Sequence, residues 1–126
     1  MYKDNIVAKI LSVDDSKVIR DLVEAVLIEN GHEVVTANDG IEGLAAARNQ
    51  QFDLILSDIN MPNMTGISMV SKIRRLADYQ HIPIIMLTTE SSDFKKSKAK
   101  NMGATGWLQK PFDPERLMKA VSKLVG

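Results

Sequence analysis

Short apolar runs alternate with amphipathic stretches along the chain. The runs are rich in branched aliphatic residues, which is typical of strands buried in a parallel sheet. The stretches between the runs carry apolar residues at helical spacing. The pattern therefore predicts five strands that alternate with five helices. The predicted strands are Val7–Val13, His32–Ala37, Leu54–Leu56, Ile84–Thr88 and Gly106–Gln109.

Residues with capping chemistry mark where the predicted helices begin. Asp15 or Ser16 can cap the first helix, because each has a side-chain oxygen that accepts a backbone N–H. Thr65 can cap the third helix and Asp113 the fifth. The fourth predicted helix, Ser91–Met102, carries few large apolar residues and several lysines. We therefore expect the fourth helix to be the least firmly packed.

Strands that alternate with helices through short connections indicate an α/β fold. Right-handed crossovers then require a doubly wound parallel sheet of five strands. The 126 residues suffice for one domain and are too few for two, so residues 1–126 are expected to form a single domain. Such sheets bind ligands at the carboxyl ends of their strands, where candidate chemistry is therefore sought.

Composition narrows the class of protein. The chain has no cysteine, which excludes a disulfide framework and a thiolate metal site. The N-terminus is charged and lacks the apolar segment of a signal peptide. No apolar run approaches the ~18 residues that a membrane span needs. The sequence therefore predicts a cytoplasmic protein without membrane insertion.

Charge is balanced overall but unevenly distributed. The formal net charge is zero, yet residues 1–63 carry 5 Lys/Arg and 11 Asp/Glu, whereas residues 64–126 carry 11 and 5. Two oppositely charged faces or ordinary solvated charges both explain this distribution. The lysines of the fourth helix form one short basic face without interleaved aromatic residues, which favours a solvated or protein-binding face over nucleic-acid binding.

Polar side chains follow four of the five predicted strands. Asp14 and Asp15 follow the first strand and Asp58 the third, while Thr88 ends the fourth and Lys110 follows the fifth. Three carboxylates at one edge repel each other unless a cation lies between them. Oxygen ligands favour Mg²⁺, Mn²⁺ or Ca²⁺ over zinc, and few carboxylates with open positions suit Mg²⁺ best. The alternative is that the first two acids only cap the first helix.

Asp58 is the candidate nucleophile of this group. Carboxylates can form acyl-phosphates, and phosphoryl transfer needs in-line positioning and cations on the phosphoryl oxygens. Mg²⁺ and Lys110 would supply positive charge, and the Thr88 hydroxyl would donate a hydrogen bond. Each residue alone is weak support, but together at one predicted edge they indicate phosphoryl-transfer chemistry.

The strand-end residues lie within four short motifs, Val13–Ser16, Leu56–Met64, Leu87–Thr89 and Gln109–Phe112. On these motifs the chain resembles, over nearly its whole length, the receiver domain of two-component response regulators, and among them the CheY-like regulators of chemotaxis. The combination of all four is highly specific.

The resemblance implies a role for each acidic residue. Asp58 would accept a phosphoryl group from a histidine kinase. Mg²⁺ would be bound by Asp58, by Asp14 or Asp15, and by the backbone carbonyl of Asn60. The fold would be flavodoxin-like, of the CheY-like (βα)5 type with strand order 2-1-3-4-5.

The resemblance also implies a conformational switch. Thr88 and Lys110 would contact the phosphoryl group, and the Lys110–Pro111 bond would be cis. Trp107 would occupy the family's aromatic switch position, the alternative being a static, half-buried side chain. The output surface would consist of the fourth helix, the fifth strand and the fifth helix.

Three positions bear on reaction rates. Asn60 and Glu90 would tune dephosphorylation, and this pair resembles that of fast-resetting chemotaxis regulators, which implies a short-lived phosphoryl state. Thr89 stands where a smaller residue is common in the family. It is therefore expected to narrow access to Asp58 and to slow phosphotransfer.

The favoured function is a signalling switch and not an enzyme. Its partners would be a CheA-like histidine kinase, a flagellar motor switch protein or another protein target, and possibly a phosphatase. A phosphoryl shuttle or sink in a phosphorelay uses the same chemistry and stays open. An Asp-nucleophile phosphohydrolase would need a second acid where this chain has Asn60. A flavodoxin-type cofactor site would place phosphate against Asp14 and Asp15.

Overall fold

The computed structural model describes residues 7–89, 97–98 and 100–125. The five strands are β1 Lys9–Val13, β2 Glu33–Ala37, β3 Leu54–Asp58, β4 Ile84–Thr88 and β5 Gly106–Gln109. They form one sheet of order β2-β1-β3-β4-β5, and every neighbouring pair is parallel. The predicted fold class and strand order are confirmed. β4 and β5 have the predicted bounds, and β2 lacks only His32 of its predicted range.

Two other strand boundaries differ from the prediction. β1 begins at Lys9 and not at Val7, whose side chain is 59% exposed. β3 extends beyond the predicted Leu54–Leu56, because Asp58 still pairs with Leu87 of β4. Asp58 is therefore held by the sheet itself and does not lie in a loop.

Four helices are described: α1 Lys17–Glu29, α2 Gly40–Asn49, α3 Gly66–Ile73 and the C-terminal helix Pro114–Val125. Val23 and Leu27 of α1 and Leu117 of the C-terminal helix are buried in the apolar cluster on one face of the sheet. Leu44 of α2 and Met69 of α3 are buried in the cluster on the other face. Both faces are thus covered, as a doubly wound sheet requires.

Side-chain caps begin these helices as the sequence predicts. The Ser16 hydroxyl accepts the N–H of Ile19, so Ser16 and not Asp15 is the cap of α1. Thr65 caps α3, and Asp113 accepts an N–H at the start of the C-terminal helix. Capping of α1 therefore does not account for the acidic pair that follows β1.

The fourth predicted helix lies largely outside the described residues, and so does Glu90. Within that range, Ser97, Lys98, Lys100 and Asn101 are helical. The sequence pattern does not predict the short 3-10 helix Ala77–Tyr79 between α3 and β4. No helix among the described residues is long and apolar enough to cross a membrane.

Arg74 joins the end of α3 to the segment before β5. Its guanidinium donates to the carbonyl of Gly103 over 2.9 and 2.7 Å, to that of Tyr79 over 2.7 Å and to that of Ile82 over 2.6 Å. Burial lowers the pKa of Arg74 from its ordinary value. One side chain thereby satisfies the carbonyls of three separate turns.

Gly66 lies where the loop after β3 meets the start of α3. Its N–H donates to the carbonyl of Ile59 over 2.8 Å. A Cβ at position 66 would overlap the carbonyl oxygen of Asp58. Glycine therefore allows the chain to turn directly behind Asp58.

We expect the substitution Gly66→Ala to lower the free energy of unfolding by about 3 kcal/mol or more, because the added methyl group collides with backbone that is fixed in β3. Urea denaturation measures the change. Gly106→Ala is the matched control, since no atom outside its immediate neighbours lies within 4 Å of the position of its Cβ. Equal stability losses in the two variants would contradict the packing argument.

Candidate functional site

Four strand ends bring together residues that are far apart in the sequence. Asp14 follows β1, and Asp58 ends β3. Thr88 ends β4, and Lys110 follows β5. These four strands are consecutive neighbours in the sheet, so their carboxyl ends share one edge. The fold therefore places the predicted site residues side by side.

Three carboxylates form the acidic part of this edge. Oxygen atoms of Asp14, Asp15 and Asp58 lie within 4.8 Å of one another. Asp14 is fully buried and Asp58 is 8% exposed, whereas Asp15 faces solvent. Such an oxygen-only set has the donor chemistry that Mg²⁺ prefers, and its negative charge calls for a cation.

Lys110 supplies a cation from the protein itself. Its Nζ lies 2.8 Å from Asp14 Oδ2 and 3.4 Å from Asp58 Oδ1, and its side chain is only 13% exposed. The backbone N–H of Lys110 donates to the carbonyl of Thr88 over 2.7 Å. The ammonium group is therefore held between the two buried carboxylates by the end of β4.

Asp14 is fixed from several directions. Its Oδ1 accepts the N–H of Ser16 over 2.9 Å, and its backbone carbonyl accepts Nη1 of Arg20 over 2.8 Å. Its own N–H donates to the carbonyl of Ala37 at the end of β2. With Oδ2 bound to Lys110, both carboxylate oxygens of Asp14 are engaged. Asp14 is thus a rigid anchor behind the more accessible Asp15.

Burial and repulsion act on Asp58 in the same direction. Burial, the largest cause, and the charge of Asp14 raise the pKa of Asp58 to about 6, from an ordinary value of 3.8, although Lys110 opposes the shift. A cation that binds beside such a carboxyl group stabilises its ionised form. The Asp58 carboxylate is also a more basic, and hence better, nucleophile than an ordinary aspartate.

The structure describes three of the other predicted residues, Thr88, Trp107 and Asn60. Thr88 is buried and Trp107 is 40% exposed, and both make contacts in the structure. Asn60 lies in the loop after β3 and is exposed, and the Lys110–Pro111 peptide bond is cis, as the resemblance implies. Glu90 lies outside the described residues.

Sequence reasoning missed two residues that hold Asp14. Arg20 and the N–H of Ser16 both bind Asp14. A signal for Arg20 exists, because Arg20 lies one helical turn after the cap Ser16 and therefore on the side of α1 that faces the end of β1. The link between Asn63 and Asp39 in the neighbouring loops was also missed, and no local pattern indicates it.

The response regulator receiver domain family matches residues 10–122, which include all five strands except the first residue of β1. The chain belongs to this family. Protein PilH of Pseudomonas aeruginosa is 36% identical over 118 residues, which are 94% of this receiver chain and 98% of PilH. The predicted family resemblance is therefore confirmed.

Solved structures give the same result. The chemotaxis response regulator CheY4 of Vibrio cholerae is 50% identical, with a TM-score of 0.91 and coverage of 94% of this chain and 99% of that one. The receiver domain of the sensor histidine kinase PA1611 from Pseudomonas aeruginosa, solved with a magnesium ion coordinated in its active site cleft, is 30% identical, with a TM-score of 0.88 and coverage of 96% and 99%.

Receiver domains also occur within longer proteins. The chain is 35% identical to the probable transcriptional regulator ycf29 of Pyropia yezoensis and to that of Porphyra purpurea. It spans 53% and 56% of the length of these two proteins, respectively. The similarity to ycf29 thus concerns the receiver part of a longer chain.

We expect Asp58→Asn to stabilise the metal-free receiver domain above pH 6. The folded state binds a proton at Asp58 up to about pH 6 and the unfolded state only up to 3.8, so the fold loses stability as the pH rises through this window. Because the carboxyl is partly solvated, the gain at pH 8 is on the order of 1 kcal/mol.

Urea denaturation from pH 4 to pH 8 in the presence of a chelator tests this expectation. The gain should shrink as the pH falls through 6 and be absent near pH 4. Asp78→Asn serves as the control, because Asp78 is an exposed acid at the opposite edge of the sheet. A gain that is the same at every pH would contradict the role of ionisation.

Proposed function

We propose that this receiver domain is a phosphorylation-controlled switch in which Asp58 accepts a phosphoryl group from a histidine kinase. The observation that carries the proposal is the position of Asp58 at the end of β3, beside two further carboxylates and 3.4 Å from the ammonium group of Lys110. A basic carboxylate next to a fixed cation has the requirements of an acceptor for a phosphoryl group.

The residues present fit Mg²⁺ as the cofactor. Three carboxylates share a small volume, and burial together with the charge of Asp14 raises the pKa of Asp58 although Lys110 opposes the shift. Asp14, Asp15 and Asp58, with the backbone carbonyl of Asn60, would hold the ion. When bound, Mg²⁺ supplies positive charge to the oxygens of the phosphoryl group. The magnesium-bound receiver domain of PA1611 supports this assignment.

Asp58, Lys110 and Thr88 have separate roles in the proposed reaction. A carboxylate oxygen of Asp58 forms the new bond to phosphorus, while the bond from phosphorus to the donor histidine nitrogen breaks and its electron pair stays on that nitrogen. Lys110 is already placed to neutralise a phosphoryl oxygen. The buried hydroxyl of Thr88 would donate a hydrogen bond to a second phosphoryl oxygen. This hydrogen bond would draw the end of β4 towards the new anion.

The output would be binding of a protein target and not turnover of a substrate. A groove of about 500 Å³ lies between β5 and the C-terminal helix, where Trp107 and Leu124 are apolar and Arg116, Lys119 and Lys123 are cationic. Such a surface suits a protein segment with apolar and acidic side chains. The likeness to CheY4, a chemotaxis protein, supports a flagellar motor switch protein as the target and a cytoplasmic location.

Intact mass after incubation with acetyl phosphate and Mg²⁺ tests the acceptor chemistry. We expect a single phosphoryl adduct on the wild-type protein and none on Asp58→Asn, because the amide is not a nucleophile towards phosphorus. Lys110→Ala is expected to form the adduct at least roughly tenfold more slowly, because one of the two cations is lost. A chelator should abolish the adduct in every variant.

Asp53→Asn is the matched control, since Asp53 lies at the opposite end of the same strand and binds the N–H of Lys9. Its adduct should equal that of the wild type. An adduct that persists in Asp58→Asn would assign the acceptor to another residue. Absence of any adduct with acetyl phosphate and with a histidine kinase would refute the proposed reaction.

We also expect Asn60 and Glu90 to set the lifetime of the phosphoryl group. Apolar residues at both positions, as in the double variant Asn60→Met and Glu90→Leu, remove the groups that orient water, while the backbone carbonyl at position 60 is kept. The half-life of the adduct should increase roughly tenfold or more. Asn49→Met, an exposed change at the end of α2, is the control and should leave the half-life unchanged. An unchanged half-life in the double variant would contradict the role of Asn60 and Glu90 in dephosphorylation.

A further inference from the structure

The loop between β3 and α3 contains a rare backbone conformation. Asn63 has a φ of 69°, and among the described residues it is the one non-glycine residue with positive φ. The N–H of Met64 donates to the carbonyl of Pro62 over 2.7 Å. A positive φ combined with a hydrogen bond between the first and third residues defines the rare form of the γ-turn, which is strained. Such a turn persists only where contacts with neighbouring residues stabilise it.

The side chain of Asn63 holds this turn to the neighbouring loop. Its Nδ2 donates to Asp39 Oδ2 over 2.9 Å. The other carboxylate oxygen of Asp39 accepts the N–H of Glu42 over 3.0 Å and caps α2. These hydrogen bonds, with that from Glu42 as the largest cause, lower the pKa of Asp39 from its ordinary value. A carboxylate fixed by a helix start is a well-defined anchor point.

The rest of the loop is seated against the same helix start. A Cβ at Gly40 would lie 2.6 Å from the carbonyl oxygen of Met64, so the loop and α2 are in close backbone contact. The hydrogen bond from the Gly66 N–H to the Ile59 carbonyl closes the loop at its base. Asn60, whose carbonyl we assign to Mg²⁺, lies inside this closed loop.

We propose that Asn63 is a positioning residue, whose hydrogen bond to Asp39 fixes the closed loop and thereby presents the carbonyl of Asn60 to the metal. This inference rests on the proposed function, because it assigns a role in binding the Mg²⁺ that the function requires. The link is indirect: Asn63 acts through the loop backbone and touches neither the acceptor nor the ion.

A purely conformational explanation makes the opposite prediction. Asparagine tolerates positive φ better than most residues, so the turn alone could require Asn63. If tolerance of positive φ were its whole role, glycine would serve as well or better, because glycine adopts this conformation without strain. Asn63→Gly therefore keeps the turn and removes the hydrogen bond to Asp39, and a variant at Asp39 tests that bond without added backbone freedom at position 63.

Isothermal titration with Mg²⁺ separates the two explanations. We expect Asn63→Gly to bind Mg²⁺ roughly three- to tenfold more weakly than the wild type, which is the range for loss of one hydrogen bond that supports a ligand. Asp39→Ser keeps a capping hydroxyl for α2 but is too short to reach Asn63, so it should weaken binding to a similar degree. The double variant should be no weaker than either single variant, because both remove the same interaction.

NMR titration of Asp39 provides a readout that a general loss of stability would not produce. In Asn63→Gly the pKa of Asp39 should rise towards its ordinary value while Glu42 still donates to the carboxylate. Urea denaturation of each variant shows whether the fold is intact.

The outcomes are distinguishable. Wild-type affinity in Asn63→Gly would overturn the positioning role and leave the proposed function standing. Additive losses in the double variant would overturn it as well, since Asp39 and Asn63 would then act separately. A wild-type protein that binds no Mg²⁺ would overturn the proposed metal site and this inference with it.

Discussion

Repulsion among Asp14, Asp15 and Asp58 is the interaction on which the arrangement of the site depends. The three carboxylates lie within 4.8 Å of one another, and two of them are buried. Lys110 lies between the two buried groups and offsets part of their charge. Burial, followed by the charge of Asp14, raises the pKa of Asp58 although Lys110 opposes the shift. Ionisation of the metal-free site is therefore costly, and a divalent cation that bound there would offset the charge of the carboxylates and then that of a phosphoryl group.

This crowding can be maintained only because the sheet prevents the carboxylates from moving apart. Asp58 is still paired within β3, and Asp14 is bound through its N–H, its carbonyl and both carboxylate oxygens. Behind Asp58, Gly66 lets the chain turn without a side chain that would push the strand aside. The crowded carboxylates at one edge of the sheet therefore lower the free energy of unfolding. The two apolar clusters on the faces of the sheet raise it and offset this loss.

The parts of this arrangement that follow from local chemistry could be predicted from the sequence. Apolar runs and caps predicted the fold, and strand-end polarity predicted that Asp14, Asp58, Thr88 and Lys110 would meet. The extension of β3 to Asp58 was missed, because it depends on pairing with Leu87 across the sheet. Arg74 and Asn63 were missed for the same physical reason: each binds a residue that is more than twenty positions away, and its own neighbours in sequence give no hint of it.

These long-range contacts also determine which parts of the proposed switch can respond. The N–H of Lys110, just after β5, binds the carbonyl of Thr88 at the end of β4, and Arg74 binds the carbonyl of Gly103, just before β5. Arg74 itself is fixed to the turns at Tyr79 and Ile82, which lie at the opposite edge of the sheet from Asp58. In the proposed switch, a pull on Thr88 would therefore reach Lys110 and the end of β5, while Gly103 is bound by Arg74. The change would then be felt beside β5, where the groove lined by Trp107 opens to solvent.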